Sequence, residues 1–404
     1  MVSSTSTQWS KIQAIAIARA FSLLGTELTI FTLVFRDKDF GPAAVAALFI
    51  VGTLPMIIFA PWSGTVADKY STKAVIPIAS LIGGAAILAQ TLPLDTWAVL
   101  ALLFVANTCA TVVGPTWGKL IPILATKEDL GRAMGTTQTY FSLAGLAGPV
   151  VAGFLISQTG FFWTFVIDAV ATTFIATVPF LLNVNHQPTK GETGEKTDVA
   201  AGFKFLFTNS LLRALVLMIF FMVLAVSVVN VGDVFLITDI LGGNAQIYGL
   251  VGTGFAIGTL SFSAFAASKK IRQMSELRAV GIGALVLAAC TLAVGLAPNY
   301  WVVMALWALA GASLAPLNTY GVAMMVKVVP HEVQGRVFAA FGALVSVASI
   351  GSMSVAGLLI GALGVREVFV VAGVLSILVV LVLFPSVYRE QRKIIETCTD
   401  TPKT

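Results

Sequence analysis

Apolar runs of about 20 residues recur along this chain with only short polar breaks, and few folds accept such a pattern. In hydrocarbon every backbone N–H and C=O must be satisfied within the spanning structure, so each run is expected to form an α-helix across a bilayer core roughly 30 Å thick. The runs place helices at about 12–34, 43–63, 74–92, 97–119, 134–157 and 161–182, then at 211–238, 246–267, 279–296, 301–325, 336–361 and 367–385. Composition agrees, with 57% hydrophobic and 11% charged residues, where a soluble domain carries roughly 25% charged residues. The expected fold class is an all-α membrane protein with twelve transmembrane helices in two six-helix bundles.

The charges lie between the spans, and mostly on one side of them. Of the 24 Lys and Arg residues, twenty belong to the side that holds both termini and the central polar segment. Arg36, Lys38 and Arg366 fall on the other side, and Arg19 lies inside the first helix. This asymmetry predicts a multi-pass protein of the cell membrane with both termini in the cytoplasm. The net charge of +5 is thus accounted for by membrane orientation, and no nucleic-acid partner is expected. Cys109, Cys290 and Cys398 show no paired spacing, and His186 and His331 stand in separate polar loops. Neither a disulfide framework nor a metal site is indicated.

Between the second and third runs stands Gly64-Thr65-Val66-Ala67-Asp68-Lys69-Tyr70-Ser71-Thr72-Lys73. This stretch resembles the loop between helices 2 and 3 of the major facilitator superfamily, which reads Gly-x-x-x-Asp-(Lys/Arg)-x-x-x-(Lys/Arg). Gly64, Asp68, Lys69 and Lys73 fill the pattern, and Tyr70-Ser71 stands where many members carry an apolar residue and Gly. The resemblance implies a gating role for this loop, in which the carboxylate of Asp68 helps hold the inner side closed.

The remaining organisation fits the same family. Residues 184–208 form the one long polar interior segment and are expected to be a cytoplasmic linker. It joins a bundle over 1–183 to a second over 209–388, with a cytoplasmic tail at 389–404. A shift of 204 residues aligns Gly131-Arg132 with Gly335-Arg336, Ala152-Gly153 with Ala356-Gly357, Gly160 with Gly364 and Phe165 with Phe369. Duplicated halves suit transport by alternating access.

Helix 5 carries Gly145, Gly148, Pro149 and Gly153, which resembles the antiporter motif of drug–proton exporters, Gly-x-x-x-Gly-Pro-x-x-Gly-Gly. Ala152 replaces one Gly, and Gly145 falls one place late. Small residues of this kind also serve close helix packing. The stretch 120–165, with Glu128-Asp129-Leu130-Gly131-Arg132, and the helix 1 segment Leu23–Thr29 resemble the branch that holds macrolide, tetracycline and siderophore exporters.

Ionisable groups inside spans cost about 2.5–3.5 kcal/mol each on insertion scales, which makes them functional candidates. Glu27, Asp168 and Asp233 are the acids so placed, all in the outer half of the membrane, and each is a candidate for proton coupling. Arg19 shares a helical face with Ser22, Thr26 and Thr29. With Thr26, Asn107, Gln138, Asn230 and Asn318 it forms the candidate substrate cavity, although Arg19 snorkelling to headgroups and interhelical bonding by the amides fit the same residues. No HExxH, Gly-x-Ser-x-Gly or phosphate-binding loop occurs, so neither an enzyme nor direct ATP drive is indicated. The expectation is a monomeric secondary transporter without cofactors. Driven by the proton gradient, it exports amphipathic small molecules of multidrug or antibiotic type. A lipid or siderophore exporter and a proton-coupled uptake symporter are the alternatives.

Overall fold

The computed structural model describes residues 6–126, 128–185, 199–265, 276–330 and 333–399. Every element among these residues is helical. The long helices are α1 (Trp9–Asp37), α2 (Pro42–Lys69), α3 (Thr72–Ala89), α4 (Thr96–Gly118), α5 (Leu130–Thr159) and α6 (Phe162–Ile175). They continue as α7 (Ser210–Ile240), α8 (Ala245–Phe265), α9 (Glu276–Gly295), α10 (Tyr300–Val328), α11 (Gln334–Leu363) and α12 (Val365–Thr399). Among the described residues, 11 helices are long and apolar enough to span a bilayer. The other long one, α8, runs for 21 residues at the eighth expected span.

Short polar residues start the helices where the apolar runs begin. Asp95 accepts from the Ala98 amide at 2.7 Å, Asn209 from Leu212 at 3.1 Å, Asn244 from Ile247 at 2.9 Å and Asn299 from Val302 at 3.0 Å. Each bond satisfies one of the amides that a helix start leaves unpaired. The duplication predicted from sequence reappears in local geometry. Helices α5 and α11 each span 30 residues. Both end on a glycine in the left-handed region, Gly160 at φ 73° and Gly364 at φ 98°. Their amides return to Ile156 and Ile360 at 3.1 and 3.0 Å. Only glycine adopts that backbone without penalty. The aligned Phe165 and Phe369 are both buried.

The chain divides into two compact units, Met1–Lys196 with Gly243–Thr253, and Thr197–Gly242 with Gly254–Thr404. In the first, α1 packs on α5 and α6, α4 on α2 and α3, and α3 on α6. In the second, α9 packs on α10 and α12, and α7 on α12 and α11.

Three sequence expectations are corrected. Gly64–Lys69 is not a loop, because α2 continues through Lys69. The segment holds no Pro to break it, Ala67 is buried, and Lys69 complements the partial negative charge at the helix end. The turn shrinks to Tyr70 and Ser71. The linker is shorter than 184–208, since Val199–Thr208 is a helix packed on α11. Its Gly202 lies so close to the Arg336 carbonyl that a Cβ would not fit. Residues 186–198 of the expected linker lie outside the described residues. The expected tail from 389 is helical as far as Thr399. Arg389, Glu390, Arg392 and Lys393 favour helix, and Ser210 Oγ donates to Glu390 Oε2 at 2.6 Å.

Candidate functional site

The polar stripe of α1 faces a cavity. Arg19, Ser22, Thr26 and Thr29 recur at helical spacing, which puts them on one face, and that face lines a cavity of about 220 Å³ inside the first unit. Asn107, Cys109 and Trp117 enter from α4, Phe141 from α5, and Asp168 and Thr172 from α6, while the rest of the wall is largely aliphatic. The Arg19 guanidinium lies 4.6 Å from the centroid of the Phe141 ring. The Asn107 amide donates to the Leu103 carbonyl at 3.0 Å.

Asp168 is the most enclosed of the three predicted acids, only 1% exposed. Both its oxygens are occupied: Thr29 Oγ1 donates to Oδ2 at 2.6 Å, and Thr172 Oγ1 donates to Oδ1 at 3.1 Å. Gly25 makes room for it, since a Cβ there would sit 2.6 Å from Asp168 Oδ1 and 2.8 Å from its Cα. One turn further along α1, Thr32 donates to Thr164 at 2.7 Å. Asp168 therefore ties α1 to α6 through a short buried polar ladder. In the second unit, Asp233 plays a similar part, with its Oδ1 accepting from Trp307 Nε1 of α10 at 3.1 Å.

Glu27 is different. It points away from the cavity and toward α5, where its stem lies over Gly148. A Cβ on Gly148 would come within 2.9 Å of Glu27 Cγ and closer still to its Cβ. The carboxylate is partly buried and has no hydrogen-bond or ion-pair partner among the described residues. The other members of the helix 5 motif also mark close approaches. Gly153 abuts the backbone of Ala245, where a Cβ would meet its carbonyl oxygen at 2.5 Å, and Gly249 fits against the Pro149 carbonyl. Around Gly145 there is open space.

The remaining predicted residues are dispersed. Gln138 is exposed on α5, and Asn230 and Asn318 are exposed on the second unit. Asp68 makes an ion pair with Lys119, just beyond the end of α4. Lys73 Nζ donates to Asn183 Oδ1 at 2.8 Å, pinning the start of α3 to the chain that leaves α6. Asp37 is a fully buried acid that the sequence did not single out. Arg36 Nε donates to its Oδ1 at 2.8 Å, and Oδ2 has no partner among the described residues. In the sequence it looked like one more charge of an outer loop. Helix α1, running on to Asp37, draws it inward. No three His, Cys, Asp or Glu side chains among the described residues gather as a metal set.

A family model described as transmembrane secretion effector matches residues 12–398. The chain is 23% identical over 374 residues to the MFS-type transporter YfiS of Bacillus subtilis, covering 88% of this chain and 87% of that protein. It is 22% identical over 393 residues to macrolide efflux protein A of Streptococcus pyogenes, covering 92% and 95% of the two chains. The multidrug efflux pump Tap of Mycobacterium bovis matches 47% of this chain and 49% of its own at 24% identity. In fold, the chain is similar to a POT family transporter in complex with 5-aminolevulinic acid, at TM-score 0.76 and 12% identity, covering 94% and 96%. It is also similar to the nucleoside transporter NupG, at TM-score 0.71 and 18% identity, covering 94% and 98%.

Proposed function

The chain belongs to the transmembrane secretion effector family of major facilitator transporters, and from that premise we propose that it is a proton-coupled exporter of amphipathic small molecules. It is a multi-pass membrane transporter, not an enzyme. The observation that carries the finer reading is the state of Glu27. A partly buried carboxylate without a partner among the described residues, seated over Gly148 of an antiporter-like motif, is placed to exchange a proton without breaking a bond to any of them. Asp168 and Asp233, by contrast, are engaged in bonds that join helices. The names of the macrolide and multidrug efflux relatives support export as the direction.

In this reading Glu27 takes a proton from the acidic outer face and releases it to the cytoplasm, and substrate leaves in exchange. The protein acts as a monomer in the cell membrane, both termini on the cytoplasmic side, where the basic residues concentrate. Each charge moved through 100 mV contributes roughly 2.3 kcal/mol, enough for accumulation of about fifty-fold. The test is flux of a radiolabelled macrolide in proteoliposomes with an imposed pH gradient. The parent should export faster as the gradient steepens. Glu27→Gln should keep downhill exchange and lose the pH drive. A Glu27→Gln protein that follows the gradient as steeply as the parent sinks Glu27 as the coupling group.

A further inference from the structure

The cavity of the first unit holds a cation that no described residue pairs. Arg19 makes no hydrogen bond and no ion pair with any described residue, and its recorded contact is the face of Phe141. Trp117, at the edge of the cavity, is 1% exposed and belongs to the packed wall. Arg19 is partly buried, and a charge within a span that lacks a protein partner is costly.

The carboxylate in the same wall does not meet that demand. Both oxygens of Asp168 already accept from Thr29 and Thr172. Helical side chains lean toward the helix N-terminus, so Arg19 leans away from the level of Asp168, which packs on Gly25 and Thr29 further along α1. That lean takes it toward the part of α1 where Ile12, Ile15 and Ala18 cluster with Trp117. Thr26 spends its hydroxyl on the Ser22 carbonyl at 3.2 Å.

We propose that this cavity binds the oxyanion head of an amphipathic substrate, a carboxylate, sulfonate or phosphate. The planar guanidinium of Arg19 takes two oxygens side by side. Arginine is the side chain suited to such paired oxygens, and Phe141 beneath it holds the plane in place. The aliphatic wall takes the first part of the apolar body. At about 220 Å³ the cavity is smaller than the roughly 300–1,000 Å³ of sites that enclose drug-sized ligands. It therefore seats a head group and short chain rather than a whole large molecule. This inference names the substrate class within the export reading and rests on it.

The experiment uses the purified full chain in detergent and four probes sharing one octyl chain: octanoate, octanesulfonate, octanol and octylammonium. Cys109 lines the cavity and is partly accessible. Protection of Cys109 from N-ethylmaleimide, read by peptide mass spectrometry, therefore reports occupancy at this place. Octanoate and octanesulfonate should protect at concentrations at least about ten-fold lower than octanol or octylammonium. Arg19→Gln should abolish that preference, and Arg19→Lys should restore part of it. Equal protection by all four probes, a preference for octylammonium, or an anion preference that survives Arg19→Gln overturns the proposal. The comparison of probes on the parent protein decides it even where a variant fails to fold. Anion-selective protection without any pH-driven octanoate flux keeps the site and refutes the export reading. Macrolide export driven by pH with no anion preference keeps export and refutes the site.

Discussion

Gly148 is the position at which packing and proposed coupling meet, so Gly148→Ala is the sharpest perturbation. The added methyl would lie 2.9 Å from Glu27 Cγ and closer to its Cβ, where carbon atoms rest at about 3.5–4.0 Å. Either α1 and α5, the most extensive helix contact of the first unit, separate by roughly 1 Å, or Glu27 leaves its rotamer. Overpacking of this kind costs about 1–3 kcal/mol. Unfolding in dodecyl maltoside micelles titrated with SDS, followed by tryptophan fluorescence, measures that loss. A double-mutant cycle assigns it. Glu27→Gly removes the Cβ that is struck, at a cost of about 1 kcal/mol for glycine within a helix. If the contact is the cause, Gly148→Ala should be cheaper in that background by about 0.5–3 kcal/mol. A Gly148→Ala protein as stable as the parent, or a cycle with no coupling between the two sites, refutes the placement of Glu27 over Gly148.

Two further outcomes follow from the partners of the other acids. Asp168→Asn should lower stability by about 1–3 kcal/mol in the same unfolding assay, because charge-assisted bonds from Thr29 and Thr172 become neutral and one hydroxyl then faces an amide N–H₂. Parent-like stability would show that the ladder does not hold α1 to α6. Asp68→Asn should change stability by less than about 1 kcal/mol, since the ion pair with Lys119 is half exposed. Its effect should appear instead as slower macrolide flux in proteoliposomes, and unchanged flux would remove Asp68 from the gating role.

The spans were legible in the sequence because hydrocarbon leaves the backbone no alternative to helix, and the internal duplication because Gly160 and Gly364 sit at matching helix ends where glycine alone is unstrained. Where water competes, the reading was weaker. Gly64–Lys69 and the residues after 388 are polar enough to be loops, and Val199–Thr208 is apolar but too short to span, yet each continues or forms a helix. Composition does not separate an exposed helical turn from a loop when no proline or glycine cap marks the end.

The site was legible as a set of residues but not as a set of roles. The cost of burying charge selects Arg19, Glu27, Asp168 and Asp233 alike, since it depends only on their lying within spans. What separates them is partnership across long stretches of chain, such as Thr29 with Asp168 and Asp233 with Trp307. None of these pairs leaves a periodicity or a motif behind. Asp168 and Asp233, whose bonds join helices, are thereby cast as ties. Glu27, whose carboxylate is bonded to nothing among the described residues, is left free to change charge. Arg19, a cation with an aromatic face beneath it and no ion pair to any described residue, is left open to a ligand. A carboxylate that exchanges a proton and a guanidinium that seats an anion lie on the same helix α1, one over Gly148 and one in the cavity beside Phe141. A rotation or tilt of that single helix therefore reaches both groups at once, which is the simplest physical link between proton and substrate that the first unit offers.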